Sequence, residues 1–182
     1  MNNRWSTRSV VLHWASVALV AGLALAGFVM TDLAADSSLR LLLSRLHTAF
    51  GLTLMVLTVV RLVVRRRGKS PEPLPLPPLH RRGIAAIHGL LYGALFALGA
   101  SGFLTGIASV WPSYLRGGQT VAPQLEHLAS RQVHEALVFA LLTLVALHIG
   151  GVMVHEVRRG GALRRMVPFL GRSSLGRARE VQ

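Results

Sequence analysis

The histidines of this 182-residue chain are the residues whose type and spacing could do chemistry. Five of the eight lie within long apolar stretches: His13, His47, His88, His134 and His148. An ionisable side chain in such a stretch is costly to bury and by default marks a functional site. One such histidine could simply make a hydrogen bond between helices. Five together indicate a shared task, such as holding a metal centre or relaying protons.

Four apolar stretches carry these histidines and predict four transmembrane helices. They cover residues 10–30, 46–64, 84–111 and 133–154. About 20 apolar residues span a bilayer as a helix, and none of the four stretches has a full polar face. The composition agrees, with 52% hydrophobic and 15% charged residues and a mean hydropathy of +0.49. We therefore predict an all-α membrane protein, a four-transmembrane-helix bundle over residues 1–168 with a basic tail over 169–182.

The charges indicate how this bundle is oriented. The chain has 20 Lys and Arg residues against 7 Asp and Glu, a formal net charge of +13. Sixteen basic residues fall at the two ends of the chain and in the segment 61–83, and only four fall in the other two loops: Arg40, Arg45, Arg116 and Arg131. The positive-inside rule then places both termini in the cytoplasm. The excess charge reflects topology, so we predict no nucleic-acid partner.

Three local features carry further expectations. Residues 24–26 resemble a signal-peptide cleavage site, which is the alternative reading of the first span. The proline-rich segment 71–80 predicts a stiff extended connector. A short amphipathic piece is expected around residues 124–129. The absence of cysteine excludes iron–sulfur clusters and c-type haem attachment.

Helix spacing sorts four histidines into two levels. His134 and His148 are 14 residues apart, almost four helical turns, so both leave one face of the fourth span about 21 Å apart. With the predicted topology, His47 lies level with His134 near the outer surface. His13 lies level with His148 near the inner surface. No residue is predicted to be catalytic.

Paired neutral imidazoles on facing apolar helices suit six-coordinate haem iron, whereas zinc needs four protein ligands or a site open to water. We therefore predict a haem at each level, enclosed by the bundle and held by two histidines. Such iron has no vacant position, which favours electron transfer over substrate activation. A haem-free proton or metal transporter that uses the same histidines is the alternative, although the spans contain few acidic residues.

Two further residues fit this interpretation. Arg61 is a charge inside an apolar run, 14 residues after His47, so it shares that face at the inner level. A buried arginine needs an anion, and a haem propionate would supply one; the alternative is that Arg61 snorkels to the lipid headgroups. Gly51, one turn beyond His47, would give a flat macrocycle room, or would simply allow close helix packing. Arg45 and Arg131 border the outer level, either as propionate partners or as solvated charges.

The chain resembles the bacterial cytochrome b561 family of small four-helix membrane proteins, which is related to the cytochrome b subunits of nickel–iron hydrogenases. The resemblance covers roughly residues 4–168. Its motifs are Leu12-His13-Trp14, His47-Thr-Ala-Phe-Gly51, Val60-Arg61-Leu62, His88-Gly-Leu-Leu-Tyr92, His134-Glu135, His148 with His155, and Leu163-Arg-Arg-Met166-Val-Pro168.

The resemblance implies two haem b groups and quinone-linked electron transfer in the bacterial inner membrane. It implies the same four iron ligands: His13, His47, His134 and His148. His88 and His155 stand at family positions and would bind a propionate or a quinone headgroup near the inner haem. Two functional alternatives follow: a superoxide–ubiquinone oxidoreductase, as some members are, or a haem-bearing membrane anchor of a larger dehydrogenase. The expected partners are membrane lipid, quinone and a partner redox protein or dehydrogenase subunit.

Overall fold

A computed structural model describes residues 5–68 and 76–167 of the chain. The regular secondary structure of this part is helical, in the order α1 (Thr7–Asp32), α2 (Ser38–Arg67), α3 (Pro78–Ile107), α4 (Trp111–Leu115), α5 (Ala129–Arg159) and α6 (Ala162–Met166). The helices α1, α2, α3 and α5 are each long and apolar enough to cross a membrane. The prediction of an all-α protein with four spanning helices is confirmed.

The helix boundaries correct several details of the prediction. Helix α2 begins at Ser38, eight residues before the predicted span 46–64. Helix α3 ends at Ile107 and not at residue 111, and Trp111 belongs to α4. The prediction of an extended connector over 71–80 is wrong for residues 78–80, because α3 begins at Pro78. A proline is well placed in the first turn of a helix, where its missing N–H is not needed. Residues 71–75 of that connector, and the tail 169–182, lie outside the described residues.

The loop between α3 and α5 also differs from the prediction. Residues 124–128 are not helical, and the short helix of this loop is α4. Pro112 stands at the start of α4, where its fixed backbone angle favours the first helical turn. The predicted amphipathic piece around 124–129 is therefore wrong, because Ala129 already belongs to α5.

The four long helices are arranged as two close pairs. Helix α1 packs along α2 and α3 along α5, while the pairs contact each other mainly through α2 and α3. Small residues are buried in the long helices: Ser16, Ser44, Thr58, Ala94, Ser101 and Thr105. Such residues let membrane helices approach closely. Large apolar side chains such as Leu25 and Leu147 are instead exposed, as expected for positions that face lipid.

The two ends of the bundle are closed by different short helices, and we call them the α4 end and the α6 end. At the α4 end the loops are joined by a hydrogen bond from Ala122 N–H to the Ala35 carbonyl, 2.8 Å long. The sequence-predicted outer level lies at this end and the predicted inner level at the α6 end. The two histidine levels predicted from the sequence therefore lie at opposite ends of the bundle.

At the α6 end the chain reverses after α5. Gly160 and Gly161 have φ angles of 70° and 85°, a left-handed conformation that glycine adopts at little cost. The Glu156 carboxylate accepts hydrogen bonds from the backbone N–H of Gly161 (3.2 Å) and Leu163 (3.0 Å). These bonds satisfy N–H groups at the start of α6, which have no partner within that helix. The reversal directs α6 back toward α1.

Candidate functional site

His47 and His134 face each other at the α4 end. Their ring centroids are 6.4 Å apart and their planes are inclined by 68°. Because α2 and α5 belong to different helix pairs, the two rings meet across the space between the pairs. Metal–imidazole bonds of about 2 Å would separate the centroids of two axial rings by roughly 6 Å. The two residues therefore fit an iron held between them.

Hydrogen bonds prepare His134 for this role. Its Nδ1 lies 3.1 Å from the Leu98 carbonyl oxygen and 3.0 Å from Ser101 Oγ. A carbonyl only accepts, so Nδ1 carries the proton and the Nε2 lone pair is left for a metal. This use of the second ring nitrogen is usual in metal-binding histidines, because it fixes both tautomer and ring orientation. The His47 ring, in contrast, lies near the backbone of Leu23, but its buried Nδ1 makes no hydrogen bond of ordinary geometry among the described residues.

Each of the two rings also packs against a glycine of the neighbouring helix in its pair. A Cβ atom at Gly27 of α1 would lie 3.5 Å from His47 Cε1. A Cβ atom at Gly102 of α3 would lie 3.2 Å from His134 Cε1, which is tighter than ordinary contact. At Gly51, one turn from His47, a Cβ would meet nothing within 4 Å. The helix wall beside His47 is thus open, as a flat group would require.

At the α6 end, the ring that contacts His148 is not that of His13, the predicted partner, but that of His88. His148 contacts His88, with ring centroids 5.2 Å apart and planes inclined by 74°. His88 Nδ1 lies 2.7 Å from the Ile84 carbonyl, so it donates there and leaves its Nε2 lone pair available. The 5.2 Å between the ring centroids of His88 and His148 is shorter than the separation of two histidine rings that share one iron.

His13 is occupied by Arg61 at the same end. Arg61 Nη2 donates to His13 Nδ1 over 2.7 Å. A guanidinium group has no acceptor, so the neutral His13 ring must carry its proton on Nε2. His148 and His88 are also electrostatic neighbours of His13. The predicted residues of the inner level therefore converge, although the ring of His13 is not paired directly with that of His148.

Arg61 brings a positive charge into this cluster. Its guanidinium lies 5.7 Å from the centroid of the Tyr92 ring, within the range of a cation–π interaction. Its contacts with α1 and α3 direct it into the bundle. Across 5–68 and 76–167, no carboxylate is paired with Arg61. The buried Oη of Tyr92 and Nε2 of His155 also have no partner there. These groups fit a polar, anionic part of a ligand.

The arginines that border the predicted outer level have protein partners. Arg45 Nε donates to the Leu115 carbonyl over 2.7 Å, and Arg131 forms a 3.0 Å ion pair with Glu135. No three His, Asp or Glu side chains within the described residues form a group that could hold a metal ion.

Sequence reasoning missed the residues that support these histidines. Ser101 and Gly102 carry no charge and lie on α3, which was assigned no part in the outer level. Their signal was the adjacency of two small residues within an apolar span. The hydrogen bond from Trp14 Nε1 to the Met166 carbonyl, 2.9 Å long, joins two family motifs that are 152 residues apart. Sequence alone gives no sign of that contact.

Four spanning helices that present paired histidines across their interior define a membrane cytochrome of b type. The chain matches the prokaryotic cytochrome b561 family over residues 4–169 and belongs to that family. It is similar to cytochrome b561 homolog 2 of Escherichia coli K12, with 30% identity over 180 residues, 94% of this chain and 93% of the relative. Cytochrome b561 homolog 1 of the same organism is 28% identical over 174 residues, 91% of this chain and 98% of the relative. No solved structure gives a significant match.

Membership of the family establishes the general character of the protein. It is a multi-pass bacterial membrane protein, and the family implies haem b and membrane electron transfer. The number of haems, their ligands and the redox partners depend on this chain's own residues.

Proposed function

We propose that this protein carries electrons across the bacterial inner membrane between two haem b groups and exchanges them with the quinone pool. His47 and His134 hold one haem, and His13 and His148 hold the other. The observation that carries the proposal is the 6.4 Å separation of the His47 and His134 rings across the two helix pairs. The haem supplies reversible one-electron chemistry, while the chain supplies binding, orientation and electrostatics.

At the α4 end, His134 is arranged to bind iron without a change of tautomer. Leu98 and Ser101 hold the proton of His134 on Nδ1, so Nε2 is the ligand atom. Gly27 and Gly102 let the helices approach the two rings closely. With His47 and His134 as its two ligands, a haem here would have no position for a substrate on iron, so it would supply electron transfer.

At the α6 end, the position of the Arg61 guanidinium is coupled to iron binding by His13. His13 can offer Nε2 to a metal only when its proton is on Nδ1, and Arg61 now donates to that atom. Arg61 must therefore turn away from His13 when His13 becomes a ligand. Its guanidinium then becomes available to a propionate, which is the role that the sequence predicts for it.

His88 is a second candidate ligand at this end because it contacts His148, although their 5.2 Å ring separation would have to widen for both to hold one iron. With its proton held by Ile84, His88 already presents a free Nε2 lone pair. In that case His13 would stay bound to Arg61 and would not be a ligand. We favour His13, because it lies level with His148 and both interact electrostatically with Arg61. Alanine variants of the two residues separate the assignments.

The quinone is proposed to meet the chain at the α6 end. His155 Nε2 is buried there without a partner in the described part of the chain, and it could bind a quinone carbonyl or a propionate oxygen. His88 has the same proposed role when His13 is the ligand. The alternatives, a superoxide–ubiquinone oxidoreductase and an anchor of a larger dehydrogenase, differ in the electron donor at the α4 end.

The orientation in the membrane supports this scheme. The last turn of α2 contains Arg65, Arg66 and Arg67, and that of α5 contains Arg158 and Arg159, all at the α6 end. Basic residues there interact favourably with the helix C-termini, and the positive-inside rule supports a cytoplasmic position for this end. We therefore propose that both termini are cytoplasmic.

The optical spectrum of the purified protein tests the proposal. A sharp α band of b type after reduction supports it, and bleaching of that band by added ubiquinone supports exchange with the quinone pool. A colourless protein from haem-replete cells would instead favour the haem-free transporter. Reoxidation by quinone should be compared in His155→Gln and in His127→Gln, a histidine outside both levels. Donation by superoxide, or a dehydrogenase subunit that copurifies, would identify the alternatives.

A further inference from the structure

Tyr114 of α4 is a buried polar group that the proposed function does not use. Only 1% of its surface is exposed, and its Oη has no hydrogen-bond partner among the residues described. A buried hydroxyl without a partner carries a free-energy cost. Such a cost is usually explained by a group that is present in the working protein.

The position of α4 indicates which group this is. Helix α4 is tied to α2 by two hydrogen bonds: Arg45 Nε to the Leu115 carbonyl (2.7 Å) and Trp111 Nε1 to Thr48 Oγ1 (3.1 Å). Arg45 and Thr48 lie on either side of His47 in the sequence, so α4 is fixed beside the turn of α2 that carries this ligand. The Trp111 ring in turn packs on Tyr114, with centroids 5.6 Å apart.

The chemistry at α4 suits a carboxylate. Tyr114 provides a hydroxyl donor, and Arg45 provides a guanidinium whose Nε is already fixed by Leu115. Hydrogen bonds to an ionised acceptor are roughly twice as strong as neutral ones, and burial strengthens them further. A haem carries two propionates, and the proposed function assigns no residue to them at this level.

We propose that α4 is the propionate-binding part of the site at the α4 end, with the Tyr114 hydroxyl donating to a propionate of the haem held by His47 and His134 and Arg45 supplying positive charge. This inference rests on the proposed function. Neither residue touches the iron, so their effect is on the retention of the haem and on its reduction potential.

Tyr114→Phe is the direct test, because it removes the hydroxyl and keeps the ring. The hydroxyl partly offsets the negative propionate, so its loss should favour the oxidised haem and lower the potential at the α4 end. We expect the reduction equilibrium to change by about threefold to tenfold, where tenfold corresponds to about 59 mV for one electron. The other haem should keep its potential.

Tyr92→Phe is the matched control, because it also removes a buried hydroxyl without a partner, but beside Arg61 at the α6 end. It should leave the potential at the α4 end unchanged. An unchanged potential in Tyr114→Phe, or an equal shift of both haems, would overturn the proposal. If Tyr114→Phe fails to assemble, Arg45→Gln is measured instead, with the same expected direction at the same haem.

A second measurement separates this proposal from the proposed function. Wild-type protein reconstituted with haem whose propionates are methylated should show the same potential as Tyr114→Phe loaded with that haem. A persisting difference would show that Tyr114 acts on something other than a propionate. Failure of the wild type to bind haem between His47 and His134 would instead contradict the proposed function itself.

Discussion

Arg61 and His13 are joined by a 2.7 Å hydrogen bond between α2 and α1, in which the guanidinium is the donor. The bond holds the His13 proton on Nε2, the atom that would otherwise bind iron. In the proposed scheme, this contact controls both the availability of His13 as a ligand and the position of the buried Arg61 charge. Haem binding by His13 and neutralisation of a propionate by Arg61 are expected to occur together.

Arg61→Gln should lower the reduction potential of the haem at the α6 end. A positive charge nearby stabilises the reduced haem, in which the iron bears one charge fewer, and partial burial makes this effect larger than at a surface. The potential at the α4 end should hardly change. Redox titration of the purified variant, resolving the two haems, makes the measurement. Arg66→Gln is the control, because it removes an exposed charge from the last turn of α2. An unaltered potential and occupancy would show that Arg61 does not neutralise a propionate.

Gly102→Ala should disturb the haem at the α4 end. The new Cβ would lie 3.2 Å from His134 Cε1, so the ring or α3 must shift by a few tenths of an ångström. We expect weaker retention of this haem and altered low-temperature spectra of its ferric form, with the other haem unaffected. Gly93→Ala is the matched control on α3, because its Cβ would meet nothing within 4 Å. Equal behaviour of the two variants would contradict the close packing at Gly102.

Trp14→Phe should loosen α6 from the end of the bundle. The change removes the hydrogen bond to the Met166 carbonyl and keeps an aromatic ring beside His13. A net worth of about 0.5–1.5 kcal/mol for such a bond predicts a roughly twofold to tenfold faster tryptic cleavage at Arg165. Trp5→Phe, which loses only a contact with Arg65, should cleave at the wild-type rate. Identical rates in both variants and the wild type would show that the bond does not hold α6 in place.

Reporter fusions test the proposed orientation. A fusion at Gly117, in the loop after α4, should report the periplasm, and a fusion at the C-terminus should report the cytoplasm. The reason is the grouping of sixteen basic residues away from that loop. A cytoplasmic signal from Gly117 would reverse the assignment of the two ends.

The ligand variants test the pairing. His47→Ala or His134→Ala should empty the site at the α4 end, and His13→Ala or His148→Ala the site at the α6 end. Each variant should keep about one haem, because the levels are about 21 Å apart and depend on different helix turns. If His88→Ala lost a haem while His13→Ala kept both, His88 would be the ligand.

The depth of each histidine could be predicted from sequence, whereas the contacts between rings could not. The 14-residue spacing of His134 and His148 fixes height along a helix, so the meeting of His47 with His134 followed from topology alone. His13, His88 and His148 share one height, and their pairing depends on helix rotation, which the sequence does not specify. Helix α4 was missed because five residues are too few to show a helical period.

The haem-to-protein ratio of the purified wild-type protein tests the central claim most directly. Two histidine pairs predict two haem b groups per chain, both low-spin in the oxidised and reduced states because each iron has two imidazole ligands. A ratio of two that falls to one in His134→Ala would agree with this account. A wild-type ratio of one, or a ratio that is the same in His134→Ala as in the wild type, would contradict it.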